Sequence, residues 1–114
     1  MPAYSSRSDA VRALYEAFAA GDRAVAEELF APEYRFSAPP DPDLDRDGFF
    51  EVCWPNSGNI GAFDIVRLIE DGEEVVVTYE ATREDGSRFR NTEVLGFDGD
   101  RVVRTEVYFG WELE

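Results

Sequence analysis

A glutamate and an asparagine interrupt the apolar face of one predicted strand. In residues 87–97 the odd positions are Phe89, Asn91, Glu93, Leu95 and Phe97. Because alternate residues of a strand point to the same face, Asn91 and Glu93 would face an otherwise apolar interior. Burial raises the pKa of a carboxyl group, and a raised pKa suits a general acid, a general base or a hydrogen-bond donor to an oxyanion. Asn91 and Glu93 are therefore our candidates for catalytic residues.

The last predicted strand, residues 101–111, carries its apolar residues at odd positions as well. An odd-length loop or a bulge at residues 98–100 would put the odd faces of both strands on one side, with Glu93 opposite Thr105. The hydrophobic pattern favours that register over a strict two-residue turn. It predicts that four residues of this strand line a ligand pocket: Thr105, Val107, Phe109 and Trp111.

A second carboxylate could join Glu93, depending on the turn at residues 84–87. If Asp85 and Gly86 form a two-residue turn, Glu80 faces Asn91 and binds ligand; if the turn is longer, Tyr79 takes that place. Two residues of the predicted helices, Tyr15 and Trp54, complete the expected ligand-binding set.

The residue types that are missing exclude several kinds of chemistry. The chain has no histidine and no lysine, so histidine-dependent catalysis, histidine metal sites and Schiff-base lysines are excluded. Cys53 is the one cysteine, so no internal disulfide forms, and we interpret it as a buried, inert thiol. We therefore expect chemistry without a metal or a cofactor.

Length and charge limit the number of domains and the partners. A chain of 114 residues with 44% hydrophobic residues fits one domain spanning residues 1–114. A net charge of −14 disfavours nucleic acid and anionic membranes as partners. No signal sequence or membrane-spanning run is evident, so we expect a cytoplasmic protein.

Helical periodicity is confined to the first half of the chain. Val11, Leu14, Tyr15 and Phe18 define the apolar face of a helix over residues 8–20, with Ser8 as N-cap and Gly21 as the left-handed C-terminal residue. Further helices are predicted over residues 23–30, ended by Pro32, and over residues 46–54, capped by Asp45.

Strand periodicity occupies the second half. A short strand is predicted over residues 34–37, followed by a proline-rich connection that cannot join a central strand. Four longer strands are expected over residues 62–70, 74–83, 87–97 and 101–111. The fold class is α+β, with three N-terminal helices packed on a strongly curved antiparallel sheet.

Five segments give the chain a resemblance to a known superfamily. They are Ala19-Ala20-Gly21-Asp22, then residues 29–36 (LFAPEYRF), then Cys53-Trp54-Pro55-Asn56, then residues 90–94 (RNTEV), and finally residues 106–111 (EVYFGW). On these segments the chain resembles the nuclear transport factor 2-like superfamily, and most closely its SnoaL-like members. The resemblance implies a cone-shaped α+β barrel of cystatin-like topology, a pocket inside the cone and often a homodimer through the sheet.

The resemblance to ketosteroid isomerases within this superfamily carries over only in part. It places their oxyanion-hole aspartate on Glu93, which keeps the carboxyl group. Their catalytic base falls on Ala38, and their oxyanion-hole tyrosine falls on Leu14, one residue before Tyr15. The resemblance therefore does not imply a steroid isomerase.

Two functions remain open from the sequence. The first is a SnoaL-like protein that binds an apolar, oxygenated ligand, with cofactor-free acid–base chemistry such as isomerisation, cyclisation or hydrolysis. The second is a non-catalytic ligand-binding or dimerisation module. An open cavity with a desolvated Glu93 would favour the enzyme, whereas a filled cone with Glu93 paired to arginine would favour the module.

Overall fold

Three helical segments cover one face of a six-stranded sheet. The structure is a computed structural model that describes residues 4–113, apart from the side chains of residues 56, 58 and 59. Helix α1 spans Arg7–Ala20 and α2 spans Arg23–Leu29. The third segment, α3, begins as an α-helical turn at Arg46–Gly48 and continues as a π-helical turn at Phe49–Cys53 and a 3-10 turn at Trp54–Asn59. The three predicted helices are therefore present.

The six strands form one sheet in the order β2-β1-β6-β5-β4-β3. Their bounds are Phe30–Ala38 for β1, Asp41–Asp45 for β2, Ile60–Asp71 for β3, Glu74–Arg83 for β4, Arg88–Asp98 for β5 and Arg101–Leu113 for β6. The predicted α+β class and curved sheet are confirmed. Two details differ, because β1 pairs with β6 in parallel and the sheet ends in two edge strands, so it is mixed and does not close into a barrel.

The ends of the first elements follow local hydrogen bonding. Ser6, not Ser8, caps α1 by accepting a hydrogen bond from the Asp9 N–H, and Gly21 ends the helix at a φ of 73° as predicted. Pro32 does not end α2, because the chain has already entered β1 at Phe30. Proline has no backbone N–H, so a strand tolerates it at a position where the N–H would not be hydrogen-bonded to a neighbouring strand.

The proline-rich connection contains a strand that the sequence analysis missed. Residues Asp41–Asp45 form β2, which pairs only with β1 and lies at the edge of the sheet. Pro42 fits there because an edge strand has one side without a partner. Asp45 caps α3 as predicted, and its carboxylate accepts a hydrogen bond of 2.7 Å from the Gly48 N–H.

The register of β5 with β6 depends on two bulges in β6. The first lies at Val103, between the pairs Gly96–Arg104 and Phe97–Val102. It puts the odd faces of both strands on one side, as predicted, although it lies in β6 and not at residues 98–100. The register also differs by two residues from the expected one, because Glu93 lies opposite Val107 and Leu95 lies opposite Thr105.

The second bulge lies at Gly110 and changes the face on which the last residues lie. Asn91 pairs with Phe109, whereas Arg90 pairs with Trp111. Beyond Gly110, the odd residues of β6 therefore lie on the same side as the even residues of β5. An extra residue of this kind bends the strand and increases its twist, which curves the sheet around the helices.

The core lies between the helices and the concave face of the sheet. Helix α1 packs against β3, α2 and the 3-10 turn of α3. The Arg7 guanidinium holds the start of α1 to the sheet by donating hydrogen bonds to the carbonyl oxygens of Gly72 at 2.7 Å and Gly99 at 3.1 Å. Both carbonyl groups lie in hairpin turns, so α1 is fixed to two hairpins at once. Among residues 4–113, no helix is both long and apolar enough to cross a bilayer.

We predict that Gly110→Ala destabilises the fold, because a Cβ at this position would lie 2.1 Å from the backbone oxygen of Arg90. Relieving that overlap must move backbone atoms, which typically costs about 1–3 kcal/mol. Gly61→Ala is the matched control, since its Cβ would find its nearest neighbour at 3.8 Å. Urea denaturation should show a lower midpoint for Gly110→Ala and little change for Gly61→Ala; equal midpoints would contradict the role given to the bulge.

Candidate functional site

Two tyrosine hydroxyls hold the carboxyl group of Glu93. The Tyr15 hydroxyl donates a hydrogen bond of 2.6 Å to Oε1, and the Tyr79 hydroxyl donates one of 2.5 Å to Oε2. Both carboxyl oxygens thus have a donor from a different element, Tyr15 from α1 and Tyr79 from β4. Among the described residues, no arginine forms an ion pair with Glu93, and the ion-pair alternative raised by the sequence is not what the structure shows.

Aromatic packing fixes the position of the two hydroxyls. The ring of Phe63 in β3 packs edge-on against both tyrosines, with ring centroids 5.2 Å from Tyr15 and 5.1 Å from Tyr79. The tyrosine rings themselves lie 5.3 Å apart. Contacts of this geometry add a favourable quadrupole interaction to the burial of the rings. The hydroxyls therefore approach Glu93 from rigid positions.

Burial dominates the electrostatics of this cluster. Burial raises the pKa of Glu93 above its usual value, while the hydrogen bonds from Tyr15 and Tyr79 oppose that rise. Burial, and then the charge of Glu93, raises the pKa of each tyrosine. Both phenols consequently stay protonated as donors at neutral pH, and Glu93 is the group whose protonation can change.

The cluster lies in the wall of a cavity of about 220 Å³ between the helices and the sheet. The Glu93 side chain lines this cavity, and the surrounding protein desolvates its carboxyl group. Aromatic rings form most of the remaining wall, including those of Phe18, Phe36, Phe49, Trp54, Phe63 and Phe89. The volume is below the range of about 300–1,000 Å³ that is common for pockets of drug-sized ligands, so the cavity suits a smaller molecule.

A second hydroxyl pair faces the same cavity. The Tyr34 hydroxyl in β1 donates a hydrogen bond of 2.8 Å to Oγ1 of Thr105 in β6, and both residues line the cavity. Tyr34 is 1% exposed and Thr105 is 4% exposed, so the two hydroxyl groups face the cavity and not the outer surface. The strand pairing of β1 with β6 brings these two side chains together.

Asn91 lines the cavity and also supports the backbone at the second bulge. Its side-chain oxygen accepts a hydrogen bond of 3.1 Å from the Gly110 N–H. A bulge leaves its extra residue without a ladder partner, and the Asn91 amide supplies that partner. Asn91 therefore has a structural function, and the catalytic role suggested by the sequence stays a prediction.

The structure brings five of the nine predicted site residues to the cavity: Tyr15, Trp54, Asn91, Glu93 and Thr105. Glu80 does not join them, because three residues, 84–86, form the hairpin turn and Tyr79 pairs with Asn91 instead. On the outer face of the sheet, Glu80 forms ion pairs with Arg88 at 2.7 Å and with Arg90. Of the two alternatives left open by the sequence, Tyr79 is the one that the structure shows.

The end of β6 contributes less to the cavity than expected. Val107 packs against the core opposite Glu93 without lining the cavity. Phe109 is 58% exposed and Trp111 is 61% exposed. The bulge at Gly110 explains Trp111, which lies on the outer face with its ring 5.5 Å from the Arg90 guanidinium. The prediction that these three residues line the pocket was wrong.

Sequence reasoning missed Tyr34, whose alternation with Phe36 in a short strand signalled burial but gave no sign of its hydroxyl partner. Cys53 also lines the cavity, and burial raises the pKa of its thiol to about 11. The thiol therefore stays protonated at neutral pH and is a poor nucleophile. Among residues 4–113, no group of three or more cysteine, aspartate or glutamate side chains is arranged to hold a metal ion.

Comparisons with known proteins agree with this architecture. The sequence model of the SnoaL-like domain matches residues 11–105. No curated protein matches the chain. A nuclear transport factor 2-like protein of unknown function from Burkholderia xenovorans superposes with a TM-score of 0.81 at 19% identity, over 95% of this chain and 85% of the other.

Two further solved structures are similar. A nuclear transport factor 2-like protein of unknown function from Burkholderia pseudomallei has a TM-score of 0.74 at 25% identity, over 92% of each chain. A protein from Kribbella flavida described as a candidate ketosteroid isomerase has a TM-score of 0.78 at 16% identity, over 95% of this chain and 80% of the other. At such identities these likenesses establish the fold.

We predict that the stability difference between the wild type and Glu93→Gln depends on pH. A carboxyl group whose pKa is higher in the folded state than in the unfolded chain, where it is about 4.3, stabilises the fold at low pH. That contribution is lost as pH rises through the folded-state pKa. The variant, which cannot ionise, should therefore gain stability relative to the wild type as the pH rises above about 4.3, the pKa of the unfolded carboxyl group.

The measurement is urea denaturation of both proteins at each pH. Subtracting the two free energies of unfolding removes the contribution of the other carboxylates, which both proteins share. If the difference in free energy of unfolding stayed constant with pH, or shifted in favour of the wild type as the pH rose, Glu93 would not be a buried carboxyl group that lacks a neighbouring cation.

Proposed function

The chain belongs to the SnoaL-like domain family of the nuclear transport factor 2-like superfamily, and we propose that it binds a small, apolar, oxygenated ligand in its cavity and exchanges a proton with it through Glu93. The observation that carries the proposal is a desolvated carboxyl group in an aromatic cavity, with two tyrosine donors and no ion-pair partner among residues 4–113. Such a group is a stronger base when ionised than an exposed glutamate is.

Proton transfer at carbon fits the composition of the cavity. Glu93 is the only carboxyl group among its described lining residues, so one group must both remove and return the proton. In the proposed step, a Glu93 oxygen takes a proton from the carbon beside a carbonyl group, and the C–H electron pair shifts into the carbon–carbon–oxygen system of an enolate. When a carbon–carbon double bond of the ligand extends this system to a dienolate, return of the proton to the far carbon of the dienolate gives an isomer and regenerates the carboxylate.

The two tyrosines would adjust Glu93 during this cycle. Their hydrogen bonds stabilise the carboxylate and oppose the effect of burial, so they keep the pKa of Glu93 from rising further. A base is most effective when its pKa lies near the working pH. The aromatic walls would exclude water and hold the ring of the ligand without adding a competing charge.

We expect the protein to catalyse the exchange of the α-hydrogens of cyclohexanone for deuterium, a one-ring probe suited to the small cavity. Proton NMR in D₂O follows the exchange directly. Because a positioned general base typically contributes a factor of about 10² to 10⁴, Glu93→Gln should slow the protein-dependent exchange by about 100-fold or more.

Glu80→Gln is the matched control, since Glu80 lies on the outer face and pairs with arginines there. Its exchange rate should equal that of the wild type. If cyclohexanone binds but no exchange above the buffer rate occurs in the wild type, the protein is a ligand-binding module, which is the alternative that the sequence left open.

We also propose that two copies of the chain associate through the outer face of the sheet. This face exposes Tyr108 by 55%, Trp111 by 61% and Ile69 by 50%. It also carries charges of both signs, on Glu80, Arg88 and Arg90. A twofold axis places one patch against its own copy, and a face with both signs of charge and exposed aromatic rings suits such pairing.

We expect the wild type to elute as a dimer in size-exclusion chromatography with light scattering, and the double variant Tyr108→Ser/Trp111→Ser to elute as a monomer. The double variant should keep its circular dichroism spectrum, because both side chains are largely exposed. A monomeric wild type at about 100 µM protein, well above the Kd of a stable dimer, would contradict the proposal.

A further inference from the structure

The hydroxyl groups of Tyr34 and Thr105 carry one hydrogen that the hydrogen bond between them does not need. Two hydroxyl groups carry two hydrogens, and one hydrogen bond between them consumes one. Since the Tyr34 hydroxyl donates to Thr105 Oγ1 at 2.8 Å, the remaining hydrogen belongs to Thr105. Within the part of the chain that the structure describes, the Thr105 hydroxyl makes this one side-chain hydrogen bond, and it makes it as the acceptor.

The position of Tyr34 makes this arrangement rigid. Its ring stacks on Phe30 with centroids 3.9 Å apart and planes within 5°, and Phe49 packs edge-on at 5.8 Å. The tyrosine hydroxyl therefore cannot easily turn away from Thr105. Because both side chains are buried and line the cavity, the free Thr105 hydrogen is available to a molecule inside it.

Thr105 lies at a useful distance from Glu93. Glu93 is directly opposite Val107, and Thr105 is two residues earlier in β6 on the same face. Diagonal neighbours of this kind are about 7–8 Å apart. That separation is between backbone positions, and because both side chains line the same small cavity, one ligand can contact the Thr105 hydroxyl and the Glu93 carboxyl group together.

The charges of the cavity restrict the ligand further. None of the described lining residues is an arginine, and the chain carries a net charge of −14. A carboxylate or phosphate ligand would meet Glu93 without a cation to compensate it, which is costly in a cavity of low polarity. The cavity of about 220 Å³ also restricts the ligand to about one ring.

We infer that the ligand is a neutral one-ring compound with a carbonyl or other acceptor oxygen, which accepts a hydrogen bond from Thr105 while its neighbouring carbon faces Glu93. This inference rests on the proposed function, since it uses the same cavity and the same base. It assigns Thr105 as the donor that stabilises the developing enolate oxygen and Tyr34 as the residue that positions the donor.

The test compares probes that share a six-membered ring and differ in their polar group. Dissociation constants for cyclohexanone, cyclohexene, cyclohexanecarboxylate and cyclohexylamine are measured by NMR titration of the ¹⁵N-labelled protein. The readout is the preference for the ketone, defined as the Kd of cyclohexene divided by the Kd of cyclohexanone. A general loosening of the fold affects both probes and therefore does not move this ratio.

Thr105→Val should lower the ketone preference about fivefold, the usual effect of losing one neutral hydrogen bond. Thr105→Ser keeps the hydroxyl and should retain the preference. Since Thr105→Val leaves the Tyr34 hydroxyl buried without an acceptor, the double variant Tyr34→Phe/Thr105→Val is the second test. It removes both hydroxyls together and should show the same fivefold loss.

An unchanged ketone preference in Thr105→Val and in the double variant would overturn the inference, as would tighter binding of the carboxylate or the amine than of the ketone. The deuterium exchange distinguishes this failure from failure of the proposed function. Exchange that depends on Glu93 with no effect of Thr105→Val on the preference overturns the inference alone. A lost preference in a protein that never catalyses exchange supports the ligand class and overturns the catalytic function alone.

Discussion

The structure depends most on how it holds one buried carboxyl group. Burying an ionised glutamate among aromatic rings is costly unless hydrogen bonds or an opposite charge compensate it. Here the compensation comes from the hydroxyls of Tyr15 and Tyr79, at 2.6 and 2.5 Å from the two oxygens. Neutral donors leave the carboxyl group able to gain and lose a proton, whereas an arginine would have fixed it as a carboxylate. Burial raises the pKa of Glu93 and the two hydrogen bonds oppose that rise, so the balance between them sets the protonation of the only carboxyl group among the described residues of the cavity wall.

The curvature of the sheet decides which residues share the cavity with Glu93. The bulge at Val103 puts Thr105 on the concave side, and the bulge at Gly110 sends Trp111 to the convex side beside Arg90. Asn91 in β5 contributes both to the cavity wall and to the second bulge, because its side-chain oxygen accepts a hydrogen bond from the Gly110 N–H. Strand β6 therefore contributes to the concave face over most of its length and to the convex face at its end.

Much of this arrangement follows from the sequence. The two periodicities placed the three helices before the long strands, and the polar interruption of an apolar strand face identified Asn91 and Glu93. The odd-numbered residues of β5 and β6 were correctly predicted to lie on the same face, because burying the other face would expose Phe89, Leu95 and Phe97. The resemblance to the SnoaL-like family, which the family match over residues 11–105 supports, gave the curved sheet.

What the sequence could not provide is the position of single extra residues. A bulge at Gly110 changes the face of Trp111 without altering the hydrophobic pattern before it. With a three-residue turn, Tyr79 faces the cavity, whereas a two-residue turn would have placed Glu80 there. The sequence Asp85-Gly86 is compatible with a turn of either length. The edge strand β2 was missed because Pro42 lowers its strand propensity. The partnership of Tyr34 with Thr105 joins residues far apart in sequence, so local patterns do not reveal it.

A carbon-13 NMR titration of the glutamate side-chain carboxyls shows whether Glu93 titrates as a buried group held by neutral donors. The Glu93 signal is assigned as the one missing from the Glu93→Gln spectrum. We expect the pKa of Glu93 to lie above those of the exposed glutamates in the same spectra, with the pKa of Glu80 lowered by its arginines. A Glu93 signal that titrates together with the exposed glutamates, or below them, would show that the carboxyl group is not held in this way.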